Sequence, residues 1–403
     1  MRISTSILYD TNVATMNNQQ TNLLQLQQEL SLGTRVLTPS DDPVASAAAL
    51  DVSQSEGILA QHTNNQGAAN DSLANLDSTL SSIGDIVSYV KERTVQAGDG
   101  ALSPADRKSI ATDVRGQFAS LLGLANGTDL NGQYMFSGFK GDTVPFTGSL
   151  QGGVTYQGDQ GQRTLEVSSS RQMPVSNNGD EVFMNIDNLN GRFNTSQGST
   201  NAGGAIISDG TVVGPYANGK YGIKFTSPTT YAIYDRAADP TMTGAPLGTG
   251  TYTDGAPIDI PPAPATAQIQ VSIAGTPATG ETYQMDPGGT TSMFTIFQQL
   301  VGALENTTGN SYQTAVSDAL GRLDNAQDNI LKLRAKTGAQ QTEVSALQDV
   351  GQGLKVQYAT QTNRLTGLDY ASAISDLQQQ QNSLDASQKS FVKITSMSLF
   401  DLL

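Results

Sequence analysis

The sequence predicts an α+β protein in which long terminal α-helices from both chain ends form a coiled-coil-like rod, with β-hairpins and an inserted antiparallel β-rich outer module between them. Apolar residues recur with a helical period over about residues 10–125 and again over about 291–400. Between about 130 and 290, short runs of alternating apolar and polar residues are separated by turn residues. The helical stripes are longer and narrower than an ordinary globular core requires.

The composition favours a structural protein over several other functional classes. Charged residues make up 15% of the 403 residues, against about 25% in an ordinary soluble domain, and the formal net charge is −15. Nucleic acid or an anionic membrane as partner would require a basic patch, which this composition argues against. The absence of cysteine and the single histidine exclude disulfides and a clustered zinc site. We therefore expect no enzyme activity and no cofactor.

The N-terminal residues give an expectation about localisation. The opening run MRISTSILY has neither the apolar core nor the small-residue cleavage site of a secretory signal. No run approaches the roughly 18 apolar residues of a membrane-spanning helix. We expect a protein that stays in the cytoplasm or is exported by a route without a cleaved signal peptide.

Two apolar seams define the predicted rod. The first follows a 4-3-4-3 spacing on one helix face and comprises Ala69, Leu73, Leu76, Leu80, Ile83, Val87 and Val90. The second is a 3-4 alternation from 323 to 368 that includes Ile330, Leu333, Val344, Leu347 and Leu354. A continuous helix over that segment would be about 70 Å long. Thr337 and Gln340 interrupt the seam around Gly338, where we expect the helix to break.

The two chain ends share an apolar seam that glutamines interrupt. Near the start it comprises Val13, Met16, Gln20, Leu23, Gln27 and Leu30, and near the end Ile374, Leu377, Gln381, Leu384, Gln388 and Phe391. Each seam is too narrow to bury much surface alone, so we expect its apolar members to form an assembly interface with the other arm or with neighbouring chains. A small bundle formed within one chain is the alternative.

Capping residues mark the predicted helix boundaries. Asp42 followed by Pro43 reads as an N-cap and a first helical position, and Ser103 followed by proline repeats this pattern. Asn126-Gly127 is expected to end the helix that begins there. The adjacent carboxylates of Asp41 and Asp42 suggest acid–base or metal chemistry as an alternative, but helix capping explains them better.

The central region contains runs typical of strands at 134–136, 164–167, 221–225, 231–234 and 269–273. Residues 241–264, rich in Gly, Pro, Ala and Thr, are expected to form a mobile loop without packed structure. Five tyrosines are expected to fill a small β core, although a carbohydrate-binding face is the alternative: Tyr216, Tyr221, Tyr231, Tyr234 and Tyr252.

Two further candidates for chemistry have simpler interpretations. His62 extends the first helical seam backwards and is expected to be a seam or surface residue. Asp180, Glu181 and Asp187 could in principle gather a calcium ion, but their spacing matches no EF-hand. We predict no metal site and no catalytic residue.

Several motifs resemble the flagellin superfamily of bacterial flagellar proteins. The run LSLGTRV at 30–36, followed by PSDDP at 39–43, is similar to the entry to the first rod helix. NGTDLNGQYMFSG at 126–138 resembles the hairpin start of the hook-associated members more than that of flagellin. IAGTPATGETY at 273–283 and FTIFQQL at 294–300 look like the re-entry into the rod, and residues 369–403 complete the resemblance.

The resemblance implies a secreted structural subunit of the bacterial flagellum that joins the hook to the flagellin filament through paired terminal helices. The implied partners are flagellin, a neighbouring hook-associated protein, copies of itself and an export chaperone on the C-terminal helix. Five parts are expected: an N-terminal assembly arm (1–43), the first rod half with β-hairpins (44–175), the inserted module (176–286), the rod return (287–368) and a C-terminal arm (369–403). Flagellin itself is the alternative function, and a secreted adhesin using the β module is a further one.

Overall fold

The computed structural model describes residues 5–129, 131–198, 200–201 and 203–396. Residues 1–4 and 397–403 of the predicted arms, and Leu130 of the hairpin motif, lie outside the described residues. The chain divides into two compact units. The terminal unit comprises Met1–Asn65 and Ala346–Leu403, and the central unit comprises Gln66–Ser345.

Six helices in the described part of the chain account for the helical pattern at both ends. They are α1 (Thr5–Leu32), α2 (Pro43–Ala97), α3 (Pro104–Ala125), α4 (Met293–Asn306), α5 (Gly309–Thr366) and α6 (Tyr370–Ser396). The long terminal helices and the β-rich region between them confirm the predicted α+β class.

Helix α5 runs without interruption past Gly338, so the predicted break is wrong. The Thr337 hydroxyl donates a hydrogen bond to the Leu333 carbonyl at 3.0 Å, which satisfies this buried polar side chain within the helix. No heavy atom lies within 4 Å of the point where a Cβ on Gly338 would stand, so no neighbouring group crowds the helix there. One interior glycine costs about 1 kcal/mol, which a helix of 58 residues tolerates.

The capping residues lie where the sequence predicts them. Helix α2 begins at Pro43, and Asp42 Oδ1 accepts a hydrogen bond from Ala45 N at 3.0 Å. Ser103 Oγ accepts from Asp106 N at 3.2 Å while Asp106 Oδ2 accepts from Ser103 N, which completes a capping box at the start of α3. These side chains satisfy N–H groups that the helix itself leaves unpaired.

Helices α2, α3, α4 and α5 form the helical core of the central unit. Each of the following core side chains is at most 2% exposed: Leu73, Leu76, Leu80, Ile83, Val87 and Val90 of α2, and Leu323, Ile330, Leu333 and Val344 of α5. Helices α3 and α4 meet through Phe118 and Phe294, whose ring centroids are 5.9 Å apart in an edge-on arrangement. Phe294 also stacks at 5.6 Å on Phe183, which lies in a short π-helix, Asp180–Met184. The apolar seams of α2 and α5 thus form a buried core within a single chain.

Two hairpins follow α3 in sequence: β1 (Phe146–Ser149) pairs with β2 (Gly153–Tyr156), and β3 (Thr164–Ser168) pairs with β4 (Arg171–Pro174). The predicted strand at 134–136 is wrong. Met135 and Phe136 are consecutive yet both buried, which the alternating faces of a half-buried strand do not permit. The segment turns instead, with Tyr134 N donating to Gly141 O at 2.8 Å.

The remaining strands form the β-rich module, in chain order β5 (Ile186–Asp187), β6 (Phe193–Gln197), β7 (Ile206–Ile207), β8 (Thr211–Val212), β9 (Tyr221–Ser227), β10 (Thr230–Asp235), β11 (Gly248–Thr251), β12 (Pro257–Ile260), β13 (Ile269–Ala274), β14 (Thr282–Pro287) and β15 (Thr290–Thr291). An antiparallel sheet has the strand order β11-β10-β9-β14-β6. A second sheet is built around β13, which pairs with β12, β7 and β8. Strand β5 pairs with β15 beside α4 in sequence.

Four of the five predicted strand runs, at 164–167, 221–225, 231–234 and 269–273, are confirmed by β3, β9, β10 and β13. The expectation that residues 241–264 form a loop without packed structure is wrong, because β11 and β12 lie there. Ile258 and Ile260 are buried on either side of exposed Asp259. That alternation is a strand signal, which the Gly- and Pro-rich composition around it obscured.

The module tyrosines support the core interpretation. Tyr216, Tyr221 and Tyr234 are buried, and Tyr231 and Tyr252 are half-buried against the module core. The Tyr252 hydroxyl donates to the Gly275 carbonyl at 2.6 Å. Tyr234 packs separately with Ala232 and Met242, so all five rings take part in packing and do not line an open face.

Candidate assembly surface

Helices α1 and α6 form an antiparallel pair in the terminal unit. The rings of Tyr9 and Phe391 lie 5.2 Å apart near one end of the pair. Farther along, Gln380 Nε2 donates a hydrogen bond to the Gln19 carbonyl at 3.5 Å. The residue numbers rise along α1 as they fall along α6, so the two chain ends run side by side in opposite directions.

Arg35 ties the α1–α2 connection to the end of α5. Its backbone N–H donates to Thr366 O at 2.7 Å, and its guanidinium donates to Leu365 O at 3.0 Å. The same guanidinium pairs with Asp42 Oδ2 at 3.2 Å. The Ala45 N–H and then the Arg35 guanidinium hold the pKa of Asp42 below its ordinary value. Sequence analysis missed this role of Arg35, although a lone arginine just before an acidic pair between two helices is a usable signal.

Asp41 folds the connection back on itself. Its Oδ2 accepts hydrogen bonds from Thr38 N at 2.7 Å and from Leu37 N at 3.0 Å, and the Thr38 N–H is the main reason that its pKa is lowered. Asp41 and Asp42 therefore each bind backbone N–H groups. Their arrangement serves the turn and the helix start and does not present a pair of free carboxylates.

The inward face of α1 differs from the predicted seam at Gln20 and Gln27. Met16, Leu23 and Leu30 are half-buried as predicted, and Val13 is half-buried beside them. Gln20 and Gln27 are exposed, and the inward positions between the shared ones are Asn12, Gln19 and Leu26. A 3-4 and a 4-3 alternation share every second residue, so a narrow stripe in the sequence does not distinguish them.

Helix α6 shows the same displacement. Leu377, Leu384 and Phe391 are half-buried, whereas Ile374 is 48% exposed. Gln381 is exposed, and the alternate inward positions are Ala373, Gln380 and Ser387. Leu347 and Leu354, in the part of α5 that belongs to the terminal unit, are also only half-buried. That these side chains contact other chains remains a prediction.

The terminal unit has almost no apolar core of its own. Among its described residues, the buried hydrophobic side chains are Ala45, Val52 and Ala373. Large apolar side chains are instead at least 48% exposed: Ile7, Tyr9, Leu24, Leu32, Val44, Leu50, Ile58, Val350, Val356, Tyr370, Ile374 and Val392. Because the unit buries so few apolar side chains of its own, we take these exposed side chains as its candidate assembly surface. We call this set the exposed apolar surface of the terminal unit.

The described residues offer little for chemistry. No group of three or more His, Cys, Asp or Glu side chains among them is arranged to hold a metal ion. Asp180 accepts from Asn185 Nδ2 at 2.7 Å, and Glu181 lies 3.7 Å from Lys336 Nζ. His62 is half-buried on α2. Within the same described part of the chain, none of the helices combines the length and the apolar character that crossing a membrane requires.

Proteins of bacterial flagella are similar in sequence to this chain. Residues 3–140 match the bacterial flagellin N-terminal helical region family. Flagellar hook-associated protein 3 of Salmonella typhimurium is 27% identical over 402 residues, which cover 100% of this chain and 99% of that protein. Flagellin B of Helicobacter pylori is 24% identical over 233 residues, which cover 54% of this chain and 45% of that protein.

The similarity to hook-associated protein 3 extends to a solved structure of a flagellar junction protein. The crystal structure of the flagellar junction protein FlgL from Legionella pneumophila superposes with a TM-score of 0.69 at 26% identity, over 79% of this chain and 100% of that one. The match to hook-associated protein 3 spans the full length, whereas the match to this flagellin covers about half of it. The chain is thus similar over its full length to hook-associated protein 3, and its N-terminal third matches the flagellin N-terminal helical region.

Proposed function

We propose that this chain is the structural subunit that joins the flagellar hook to the flagellin filament. The exposed apolar surface of the terminal unit is the observation that carries the proposal, because a subunit built for assembly leaves this kind of surface open as a single chain. The full-length relationship to hook-associated protein 3 supports the junction function rather than that of the bulk filament subunit. Like its relatives, the chain is a flagellar component that works through contacts with other flagellar proteins.

The energetics favour association through the terminal unit. Fully burying one Leu, Val or Ile side chain contributes about 1.5–3 kcal/mol. The exposed apolar surface, covered only in part, therefore offers on the order of 10 kcal/mol before the entropy cost of association. The central unit does not depend on contacts with other chains for its helical core, because those side chains are already buried. Association of chain copies through α1 and α6 is thus the expected mode of assembly.

An in-frame deletion of the gene in its source bacterium tests the proposal. Electron microscopy of the cell surface and a flagellin assay of the medium are the readouts. Hooks without filaments, together with flagellin lost to the medium, support the junction function. Hooks without filaments and no flagellin anywhere would identify the chain as the filament subunit. Normal filaments would overturn both functions.

The partners at each end of the subunit form the finer part of the proposal. Flagellin and a neighbouring hook-associated protein would contact its two ends, and other copies of the chain would lie beside it. An export chaperone would cover the half-buried side of α6 before assembly, because Leu377, Leu384 and Phe391 face water once α6 leaves α1. A pull-down with residues 310–403 should recover this chaperone, and changing those three residues to Asp should abolish recovery. Undiminished recovery would contradict the chaperone contact.

Export without a cleaved signal peptide would require the arms to unfold and refold easily. We infer that α1 and α6 pair only weakly in the monomer and become fixed on assembly. Limited proteolysis of the purified monomer provides the check, with the central unit as an internal control. Cleavage within residues 5–30 and 375–396 should be much faster than within the helical core. Equal resistance of both regions would exclude coupled folding and assembly.

A further inference from the structure

One face of α5 carries polar side chains that hold the β-rich region against the helix. They recur at helical spacing beside the apolar seam: Thr314, Asp318, Arg322, Asn325, Asn329 and Lys336. We call this set the polar ladder. Asn325 Nδ2 donates to Asp187 O at 2.8 Å, and Asn329 Nδ2 donates to Glu181 O at 3.0 Å. Side chains of the polar ladder thus donate hydrogen bonds to backbone carbonyls of the segment around β5.

Farther toward the start of α5, the ladder meets the last residue of β6 and the connection between β5 and β6. Gln197 Nε2 donates to Thr314 Oγ1 at 2.7 Å. The Arg322 guanidinium donates to Asn188 Oδ1 at 2.6 Å and also to Gln299 Oε1 of α4. These contacts are polar and lie beside the apolar core, in which Ile186 of β5 is buried together with Leu323 and Ile330 of α5.

Two carboxylates share one arginine at this interface. Asp318 lies 3.8 Å from Arg322 one turn away on α5, and its side chain is only 20% exposed. Asp209, in the β7–β8 connection, places its Oδ2 3.4 Å from the point where a Cβ on Gly321 would stand. Gly321 follows Asp318 by three residues on α5, so Asp209 of the docked segment lies near the same turn; with Arg322, it is one of the two charged groups that act on Asp318. Asn188 and Gln299, which also contact Arg322, are neutral amides.

We propose that Asp318 and Asp209 form a proton-sensitive latch, which holds the β-rich region on α5 more tightly when the pair carries one proton than when both carboxylates are ionised. A single guanidinium, already hydrogen-bonded to two amides, cannot fully neutralise two half-buried carboxylates. Their repulsion acts across the docking interface, so it is relieved when the segment moves away from α5.

The pKa values give the direction and the pH window. Burial, and then the charge of Asp209, raise the pKa of Asp318 from 3.8 to about 6, against the opposing effect of Arg322. Burial likewise raises the pKa of Asp209. When the segment leaves α5, Asp318 returns to its ordinary pKa of 3.8. A raised folded pKa means that the docked state is favoured at low pH and loses stability as the pH rises between these values, by about tenfold in the docking equilibrium between pH 5 and 7.

Hydrogen exchange of the full-length chain tests the latch. The readout is the protection of backbone amides in residues 186–191, corrected for the intrinsic exchange rate, at pH 5 and pH 7. We expect protection to fall about tenfold in the unmodified chain. Asp318→Asn keeps the side-chain shape but removes the charge, so its protection should be high and equal at both pH values. Asp209→Asn should reduce the pH effect, because it removes the repulsion that raises the Asp318 midpoint.

Asp328→Asn is the matched control, since Asp328 is an exposed residue of the same helix. This variant should keep the full pH dependence of the unmodified chain. A carboxyl carbon NMR titration of Asp318 adds a direct readout of its midpoint. Equal corrected protection at pH 5 and 7 in the unmodified chain would overturn the proposal. So would an unchanged pH dependence in Asp318→Asn, or an Asp318 midpoint near its ordinary value.

Discussion

Removing a leucine should affect folding or assembly, depending on the unit in which it lies. Leu80 is 0% exposed in the helical core of the central unit, and Leu377 is half-buried between α6 and α1. Leu80→Ala deletes three fully packed carbons and leaves a cavity, so the free energy of unfolding should fall by about 2–5 kcal/mol. Leu377→Ala removes carbons that water already reaches in part, and the monomer should lose about 1 kcal/mol.

The order should reverse when assembly is measured. In the assembled flagellum Leu377 would be covered by neighbouring chains, so each copy of the variant would lose an intersubunit contact. Urea unfolding of the purified monomer, followed by circular dichroism, measures the first effect. Complementation of a deletion strain with each variant, scored by filament number per cell and by swimming, measures the second. We expect Leu377→Ala to be close to the unmodified chain in the first assay and clearly deficient in the second.

The comparison can refute the assembly argument in either direction. If Leu377→Ala destabilised the monomer as much as Leu80→Ala, the α1–α6 pair would be a folding core and its half-burial would have no bearing on assembly. If Leu377→Ala restored full filament numbers, the inward face of α6 would not contribute to contacts between chains. Western blotting of secreted protein controls for loss by proteolysis, which a destabilised Leu80→Ala chain is expected to suffer.

Three further predictions concern single positions. Gly33→Ala should destabilise the terminal unit by about 1–2 kcal/mol, because Gly33 has a φ of 70°, where a side chain is strained. Gly57→Ala, in the exposed interior of α2, should instead stabilise it by about 0.5–1 kcal/mol, and thermal unfolding should show a lower midpoint for the first variant and a higher one for the second. Tyr283→Phe should cost about 1–3 kcal/mol in urea unfolding, because the Tyr283 hydroxyl lies 3.0 Å from Oε2 of the buried Glu281; an unchanged midpoint would show that water replaces this bond. The pKa of Asp42 is lowered in the folded chain, so Asp42 stabilises the start of α2 above pH 3.8, and this stabilisation is lost as the pH falls through the lower folded pKa. Hydrogen exchange of residues 44–47 should become faster over that pH range, and the Asp42→Ala variant should show no such pH dependence.

The position of the first apolar seam could be predicted from sequence because helix geometry is local. The spacing of Leu73 to Val90 places those side chains on one helix face whatever surrounds the helix, and capping at Asp42 and Ser103 depends on neighbours within four residues. The prediction of a break at Gly338 was wrong because it weighed only the local cost of one glycine in a helix. The surrounding helix, and the hydrogen bond from Thr337 to Leu333, outweigh it.

The sequence by itself determined the helical and β-rich regions, their capped boundaries and the narrowness of the terminal seams. Tertiary structure alone decided which alternate positions of α1 and α6 face inward, since two registers of a sparse stripe share every second residue. It also decided that Ile258 and Ile260 lie in a strand, and that Asp209 lies beside the turn of α5 that contains Asp318 and Gly321. Neither of these follows from neighbours in sequence, because burial and repulsion depend on which distant segments pack together.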